Sequence, residues 1–214
     1  MAQRPPDSFV RTFSPGLQKL LVGALARAYH AVARAHRLHP GFNERTFGFS
    51  VYEVGVHELS SIAEENADRL RVKWIEQAFR LIAGPYEVAY HKVGHSAHDD
   101  IRVSFPNNEG AVTSMVLASY LPGLEPDLSQ ATRVVLAHMG NPEEGLCAAY
   151  LCIPIGHDAA GRINEWGFTY EIFRKAGDGQ SGSSESTGAP DFPPDEVIEQ
   201  LRVTPRKRER KPRA

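Results

Sequence analysis

The sequence predicts an α+β fold in which N-terminal helices pack on a mostly antiparallel sheet of about five strands. Up to about Pro85, apolar residues recur mostly at helical spacing, whereas beyond it they alternate with polar residues as in strands. A series of helices followed by a series of strands is the order expected of this fold class. Of the 214 residues, 42% are hydrophobic and 23% are charged, which is close to the averages of globular domains.

The first long helix is predicted to begin at Ser14 and to run to about residue 35. Ser14 supplies a hydroxyl N-cap, and Pro15 suits the first helical position because it has no N–H to leave unpaired. A proline, two glycines and an asparagine then predict a loop over residues 36–48. The apolar side of the helix consists of residues at helical spacing: Leu17, Leu20, Leu21, Ala24, Ala28, Ala31, Val32 and Ala35.

Two further helices are predicted before Pro85. Residues 51–66 have one apolar side at helical spacing. Residues 69–74 alternate like a strand, yet a helix over residues 67–83, ended by Gly84-Pro85, accounts for more of the apolar positions. The positions that favour this helix are Trp74, Ala78, Leu81 and Ile82.

The region after Pro85 is predicted to form the sheet. Residues 86–90 and 101–105 alternate and are interpreted as two strands joined by the polar turn at residues 94–100. Residues 111–121 are apolar and are interpreted as a helix. Three more strands are predicted over residues 133–138, 146–155 and 163–173.

Large aromatic residues are predicted to lie mainly in the core, as is usual for side chains of this size. In the last strand, Trp166, Phe168 and Tyr170 are predicted to share one face because they are two positions apart. The other aromatic residues expected in the core are Trp74 and Phe173.

Composition divides the chain into three parts. Residues 1–13 are predicted to be a flexible N-terminal segment, residues 14–175 a single α+β domain, and residues 176–214 a disordered tail. Residues 176–190 are rich in glycine and serine, which is typical of a flexible linker. The tail has a basic end made of Arg206, Lys207, Arg208, Arg210, Lys211 and Arg213.

A short helical motif is predicted within the tail at residues 194–201. Val197, Ile198 and Leu201 gather on one side at helical spacing. A helix this short is marginal in water by itself, so the motif is expected to fold only against a partner or against the body of the chain.

The sequence predicts a cytoplasmic protein. Its N-terminal residues lack the apolar run of a signal peptide, and no apolar stretch reaches the roughly 20 residues that a membrane span needs. Cys147 and Cys152 lie five positions apart in one predicted strand, on opposite faces and about 17 Å apart, so they cannot pair. A net charge of −2 gives no overall attraction to nucleic acid or anionic membranes.

The densest group of chemically active side chains lies in and beside the predicted turn at residues 94–100. Imidazoles and carboxylates are ligands that zinc, manganese and iron sites use. The spacing matches no recognised zinc signature, and a solvated turn would have a similar composition, so both interpretations stay open. The candidate ligands are His91, His95, His98, Asp99 and Asp100.

Other polar groups favour ordinary surface roles. Glu53, His57 and Glu64 share one helix face, but their spacing differs from the Glu-x-x-His pairs of carboxylate-bridged metal bundles. His138 and His157 lie at or near strand ends, the second beside Asp158, where a histidine and an acid could polarise each other for proton transfer. The sequence contains no Gly-x-Ser-x-Gly elbow, phosphate loop or dinucleotide fingerprint.

Together, these observations predict a non-enzymatic interaction or regulatory module that binds a protein partner through its body and its tail, without a cofactor. One alternative is a metal-dependent hydrolase that uses a divalent ion held by His91, His95, His98 and Asp99. A further alternative is weak, salt-sensitive attachment to nucleic acid through the basic end, which has no interleaved aromatic residue for base stacking. No membrane partner is expected.

Overall fold

A computed structural model of the chain describes residues 5–38, 41–75, 78–101, 133–157 and 163–175. These ranges contain three helices, followed by six strands that form one sheet. The α+β fold with N-terminal helices and a mostly antiparallel sheet is confirmed, with one strand more than predicted. The predicted helix at residues 111–121 and the tail at residues 176–214 lie outside the described residues.

The helices are α1 (Asp7–Thr12), α2 (Pro15–Leu38) and α3 (Glu44–Glu65). A capping box starts α3: the Asn43 side chain accepts a hydrogen bond from the Thr46 N–H at 3.1 Å, and Thr46 Oγ1 accepts one from the Asn43 N–H at 2.8 Å. This cap satisfies main-chain donors that the helix itself leaves unpaired. The cap places Glu44 and the residues after it in a helix, where the sequence predicted a loop that extends to Gly48.

Helix α1 lies within the segment that was predicted to be flexible. Phe9 is buried, and its ring centroid lies 5.2 Å from that of Phe168 and 5.8 Å from that of Tyr86. Ser8 Oγ and Tyr86 Oη are 2.8 Å apart and share a hydrogen bond. Contacts to residues far along the chain therefore hold this segment, which is why local composition did not reveal it.

The strands are β1 (Leu70–Ile75), β2 (Ala78–Ala83), β3 (Tyr86–Gly94), β4 (Arg133–Asn141), β5 (Gly145–His157) and β6 (Ile163–Arg174). Their order across the sheet is their order along the chain. Every neighbouring pair is antiparallel except β3 and β4, which are parallel. The strand predictions at residues 86–90, 133–138, 146–155 and 163–173 are confirmed.

The helix predicted over residues 67–83 is wrong, because this region forms the β1–β2 hairpin. Leu70 pairs with Ala83 and Ile75 pairs with Ala78. In β2, Phe79, Leu81 and Ala83 join the core beneath the helices, so the period is two rather than 3.6. Short apolar stretches fit both periods, and only the pairing across the hairpin separates them.

The predicted hairpin between residues 86–90 and 101–105 is also wrong. The two neighbours of β3 in the sheet are β2 and β4, and Ile101 is helical. Residues 102–105 lie outside the described part of the chain. The parallel pairing of β3 with β4 could not be read from alternation, since alternation does not identify a strand's partner.

All three helices lie on one face of the sheet. Helix α3 packs against β1, β2 and β3, whereas α2 packs against β4, β5 and β6, and the two helices also contact each other. The core between the layers includes Leu21, Leu25, Tyr29, Val51, Leu59, Leu81, Val88, Tyr90, Leu136, Leu151 and Ile153. Across the described residues, no helix is both long enough and apolar enough to span a membrane.

The opposite face of the sheet holds a second buried cluster of small and aliphatic residues. Its members are Ala89, Val93, Val135, Ala137, Met139, Ala148 and Cys152. Trp166 packs against this cluster, while Phe168 lies on the helical side. Register shifts around Pro154 in the β5–β6 pairing separate the two rings, so the prediction of a shared face is wrong for Trp166. Trp74, predicted to be buried, is 56% exposed on the edge strand β1.

Candidate functional site

A groove of about 530 Å³ lies between the first half of α3 and the last residues of β3. We call it the α3–β3 groove. From the helix it is lined by Glu44, Arg45, Gly48, Phe49 and Tyr52, which fall on one side of α3. From β3 and the turn after it, the groove is lined by five consecutive residues, His91, Lys92, Val93, Gly94 and His95.

The strand presents its edge to this groove. Side chains of a strand alternate between its two faces, so a cavity on one face would be lined by every second residue. Four consecutive residues of β3 in the lining, with a register shift between Lys92 and Gly94, indicate instead that the main chain itself borders the groove. The β2–β3 ladder ends at the Arg80–Ala89 pair, and no described strand continues it along the last residues of β3.

The turn geometry indicates which main-chain groups face this edge. Ala83 and Tyr86 close a two-residue hairpin and therefore exchange both of their main-chain hydrogen bonds. Alternation along β3 then directs the N–H and C=O of every second residue toward the β2 side, and Lys92 is one of these. Lys92 lies beyond the end of the β2 ladder, so these two groups face the groove.

Aromatic rings form the inner wall of the groove. The Tyr52 ring, half-buried, stacks on Tyr90 with centroids 5.6 Å apart and an interplanar angle of 18°. Tyr90 in turn stacks on the fully buried His138 at 4.7 Å and 14°, and donates a hydrogen bond to the Val51 carbonyl at 3.1 Å. Phe49 is 67% exposed at the rim, which is unusual for so large an apolar side chain.

The charges along the groove are predominantly positive. Arg45 is exposed, and the Lys92 ammonium donates a hydrogen bond to the Gly94 carbonyl at 2.8 Å. Burial lowers the pKa of Lys92, while Asp99 and Glu44 oppose that shift. Burial, assisted by Arg80, lowers the pKa of His91 to about 4, so this imidazole is neutral at pH 7. Among the described residues of the lining, Glu44 is the single acid.

The predicted metal ligands are engaged in local structure. Asp99 Oδ2 accepts hydrogen bonds from the His95 N–H at 2.6 Å and the Ser96 N–H at 3.1 Å. These bonds, the His95 one foremost, lower the pKa of Asp99 and close the turn after β3. The His98 N–H bonds to Ser96 Oγ at 3.2 Å.

The structure separates the remaining members of the predicted metal cluster. The His91 side chain is partly buried, whereas His95, His98 and Asp100 are exposed. Within the described ranges, no group of three or more His, Cys, Asp or Glu side chains is arranged to hold a metal ion.

We expect the protein, purified without chelator, to carry no stoichiometric zinc, manganese or iron. The reason is that, among the described residues, no three His, Cys, Asp or Glu side chains are arranged to hold a metal ion, and Oδ2 of Asp99 already accepts two main-chain hydrogen bonds. Elemental analysis of the purified protein measures this directly. One equivalent of metal, lost in the His95→Ala/His98→Ala variant, would contradict the expectation and favour the hydrolase.

The other polar candidates lie apart from the groove. Glu53, His57 and Glu64 are exposed along α3. His138 is fully buried, and its Nδ1 is 2.9 Å from the Tyr29 hydroxyl. The His157 side chain and Asp158 lie outside the described part, as do the tail residues Val197, Ile198 and Leu201 and all six residues of the basic end.

Neither cysteine is suited to act as a nucleophile. Both thiols are free and buried in β5. Burial and a hydrogen bond to Glu144, 3.0 Å from Sγ, raise the pKa of Cys147 to about 11. Burial alone raises the pKa of Cys152 well above its usual value. Both thiols are therefore protonated at pH 7, whereas the thiolate is the reactive form.

Of the residues that line the groove, the sequence singled out only His91 and His95, as candidate metal ligands. Arg45 and Gly48 fell within the predicted loop, so they were never placed on the same helix face as Tyr52. The capping pattern Asn43-x-x-Thr46 was the available signal, because it marks the helix start that puts them there.

The chain is thus an α+β protein with an aromatic, positively charged groove beside a strand edge that no described strand covers. No protein-family model, curated protein or solved structure matches it.

Proposed function

We propose that the protein is a non-enzymatic interaction module that binds a protein partner, using the α3–β3 groove of its body together with its tail. The observation that carries this proposal is the juxtaposition of an exposed aromatic residue, Phe49, with a strand edge that no described strand covers. Large apolar side chains at the rim of a groove are typical of recognition surfaces. The protonated thiols support a non-enzymatic role.

The tail contribution remains a prediction from the sequence. Residues 194–201 place Val197, Ile198 and Leu201 on one side of a short helix, which would dock in a hydrophobic groove of the partner. The basic end would add a long-range attraction that salt weakens.

Gly48 offers a direct test of the body surface. A Cβ at Gly48 would meet only Lys92 Cδ, at 3.9 Å, so the Gly48→Leu change should fill the groove without disturbing the core. We expect it to weaken the capture of specific partners by about tenfold or more, as loss of a central interface pocket does. Partners are identified by mass spectrometry after capture from a lysate, and their affinities are then measured with purified proteins.

The matched control is Gly16→Leu, which adds the same side chain to an exposed helical glycine with nothing within 4 Å of its Cβ. It should leave capture unchanged. Equal capture by wild type and Gly48→Leu would show that the groove is not the contact surface of the body.

The tail is tested separately by Val197→Asp/Leu201→Asp and by a protein truncated after Lys175. We expect both to lose part of the captured set while the melting temperature of the body stays the same. The same partners recovered at the same affinity from the truncated protein would contradict the tail's role.

A further inference from the structure

We infer that the α3–β3 groove takes an extended, acidic segment of the partner protein, which adds to β3 as an additional strand alongside residues 92–95. This inference rests on the proposed function and specifies its mode and its chemistry. Strand addition to an exposed sheet edge is a general mode of peptide recognition, in which main-chain hydrogen bonds supply affinity and side-chain pockets supply specificity.

The strand wall of the groove supplies the main-chain part of the site. The N–H and C=O of Lys92 face the groove, because β2 stops short of them while the β3–β4 pairing occupies the other edge of the strand. An added strand would lie about 4.8 Å from β3, between it and the first turns of α3. Exposed edge groups of this kind act as a template for pairing with another chain.

The helix wall supplies the side-chain part of the site. Gly48 has no side chain, so an extended peptide can approach α3 at that turn. Phe49 and Tyr52 flank this gap, one turn of the helix from each other, and offer ring surface to every second side chain of the peptide. The remaining peptide side chains would point the other way, so apolar and polar residues should alternate in the bound segment.

The charges of the residues that line the groove favour an acidic segment. Arg45 and Lys92 lie on opposite walls of the groove, and Glu44 is the single acid among the described residues of the lining. The partly buried Lys92 ammonium has lost hydration, which a peptide carboxylate would replace by a charge-assisted hydrogen bond. A basic segment would meet two like charges, which costs affinity and slows association.

The test uses octapeptides selected from a random displayed library on the purified full-length protein. We expect the selected sequences to be enriched in Asp or Glu alternating with apolar residues. The best synthetic peptide is then remade with N-methyl groups at its odd or at its even positions. Methylation of one set, either the odd or the even positions, should weaken binding by about tenfold or more, and methylation of the other set by less than about twofold. The reason is that only alternate N–H groups of the peptide face β3.

Charge reversal tests the preference for acid. Arg45→Glu should weaken the selected peptide by about tenfold and flatten its salt dependence, because it removes one of the two cations. The change should not harm the helix, since an acid suits the first turn of α3. Arg34→Glu is the matched control, on the exposed side of α2 and outside the groove, and should leave binding unchanged.

The outcomes separate this inference from the proposed function. Equal effects of methylation at both parities, or no effect at either, would overturn strand addition. Failure to select any peptide, or selection of basic peptides, would overturn it as well. In each of these cases, the proposed function would still hold if wild type captured a folded partner and the Gly48→Leu variant did not.

Discussion

Lowering the pH from 7 to 5 is expected to reduce the free energy of unfolding by about 2–4 kcal/mol, through His138, which is buried, and His91, which is partly buried. Burial holds the pKa of His138 well below its usual value, with Lys92 and His91 adding to the shift. The pKa of His91 is lowered to about 4, mainly by burial and also by Arg80. His91 therefore stays neutral in the folded protein over this range, and the lowered pKa of His138 acts in the same direction.

The direction follows from proton uptake on unfolding. In the unfolded chain both histidines titrate near pH 6.5. Below that pH the unfolded state therefore binds more protons than the folded state does. Stability is therefore complete above about pH 6.5 and falls as the pH drops toward the folded-state values, by up to about 1.4 kcal/mol per pH unit for each histidine. The carboxylates with lowered pKa values titrate below this window and add little to it.

Urea denaturation at pH 7, 6 and 5 measures this slope. In the Tyr29→Phe/His138→Phe variant, both partners of the buried hydrogen bond are replaced by rings of similar shape, so it should fold with about half the wild-type slope. His91→Gln should remove the other half. A wild-type stability that is constant between pH 7 and 5 would show that these imidazoles bind protons equally well in the folded and unfolded states.

Two glycines seven residues apart on α3 are expected to respond to alanine in opposite directions. A Cβ on Gly55 would collide with the Tyr90 hydroxyl and would lie 2.6 Å from the ring carbon that bears it. Tyr90 cannot turn aside, because its ring is stacked between Tyr52 and His138. Gly55→Ala should therefore cost about 3 kcal/mol or more, from overpacking and from the loss of the buried hydrogen bond to Val51.

Gly48→Ala is the matched change and should stabilise the protein by about 0.5–1 kcal/mol, because it improves helix propensity where space is free. Urea unfolding at pH 7 measures both variants. Tyr90→Phe should partly rescue Gly55→Ala, since it removes the atom closest to the new methyl group. If Gly55→Ala were as stable as wild type, the Tyr90 ring would not be packed against this turn of α3.

Much of the fold could be predicted from local patterns. The apolar stripe after Ser14 predicted α2, and the alternation in residues 133–138, 146–155 and 163–173 predicted β4 to β6, because these segments are long enough for one period to dominate. The β1–β2 hairpin could not be predicted in the same way. Its six-residue strands fit either period, and the pairing of Leu70 with Ala83 is a contact between segments rather than within one.

The groove was harder to predict for the same physical reason. Gly48 and Lys92 lie far apart in the sequence, and they come together only because α3 packs over β1 to β3. The histidine-rich turn was easier to notice than the groove, since its residues are adjacent in the sequence. One of its two carboxylates, Asp99, nevertheless forms hydrogen bonds that close the turn.

Helix α2 packs against strands that come much later in the sequence, and this has a consequence for biosynthesis. Helix α2 is made early, yet the strands it covers, β4 to β6, are made last. Roughly a hundred residues separate the two, so at about 5–20 residues per second the ribosome needs about 5–20 s to supply them. Throughout that interval Leu21, Leu25 and Tyr29 lack the strands that cover them in the folded protein. A nascent chain stalled before β4 should therefore be cleaved within α2 by a protease that does not cleave the finished protein.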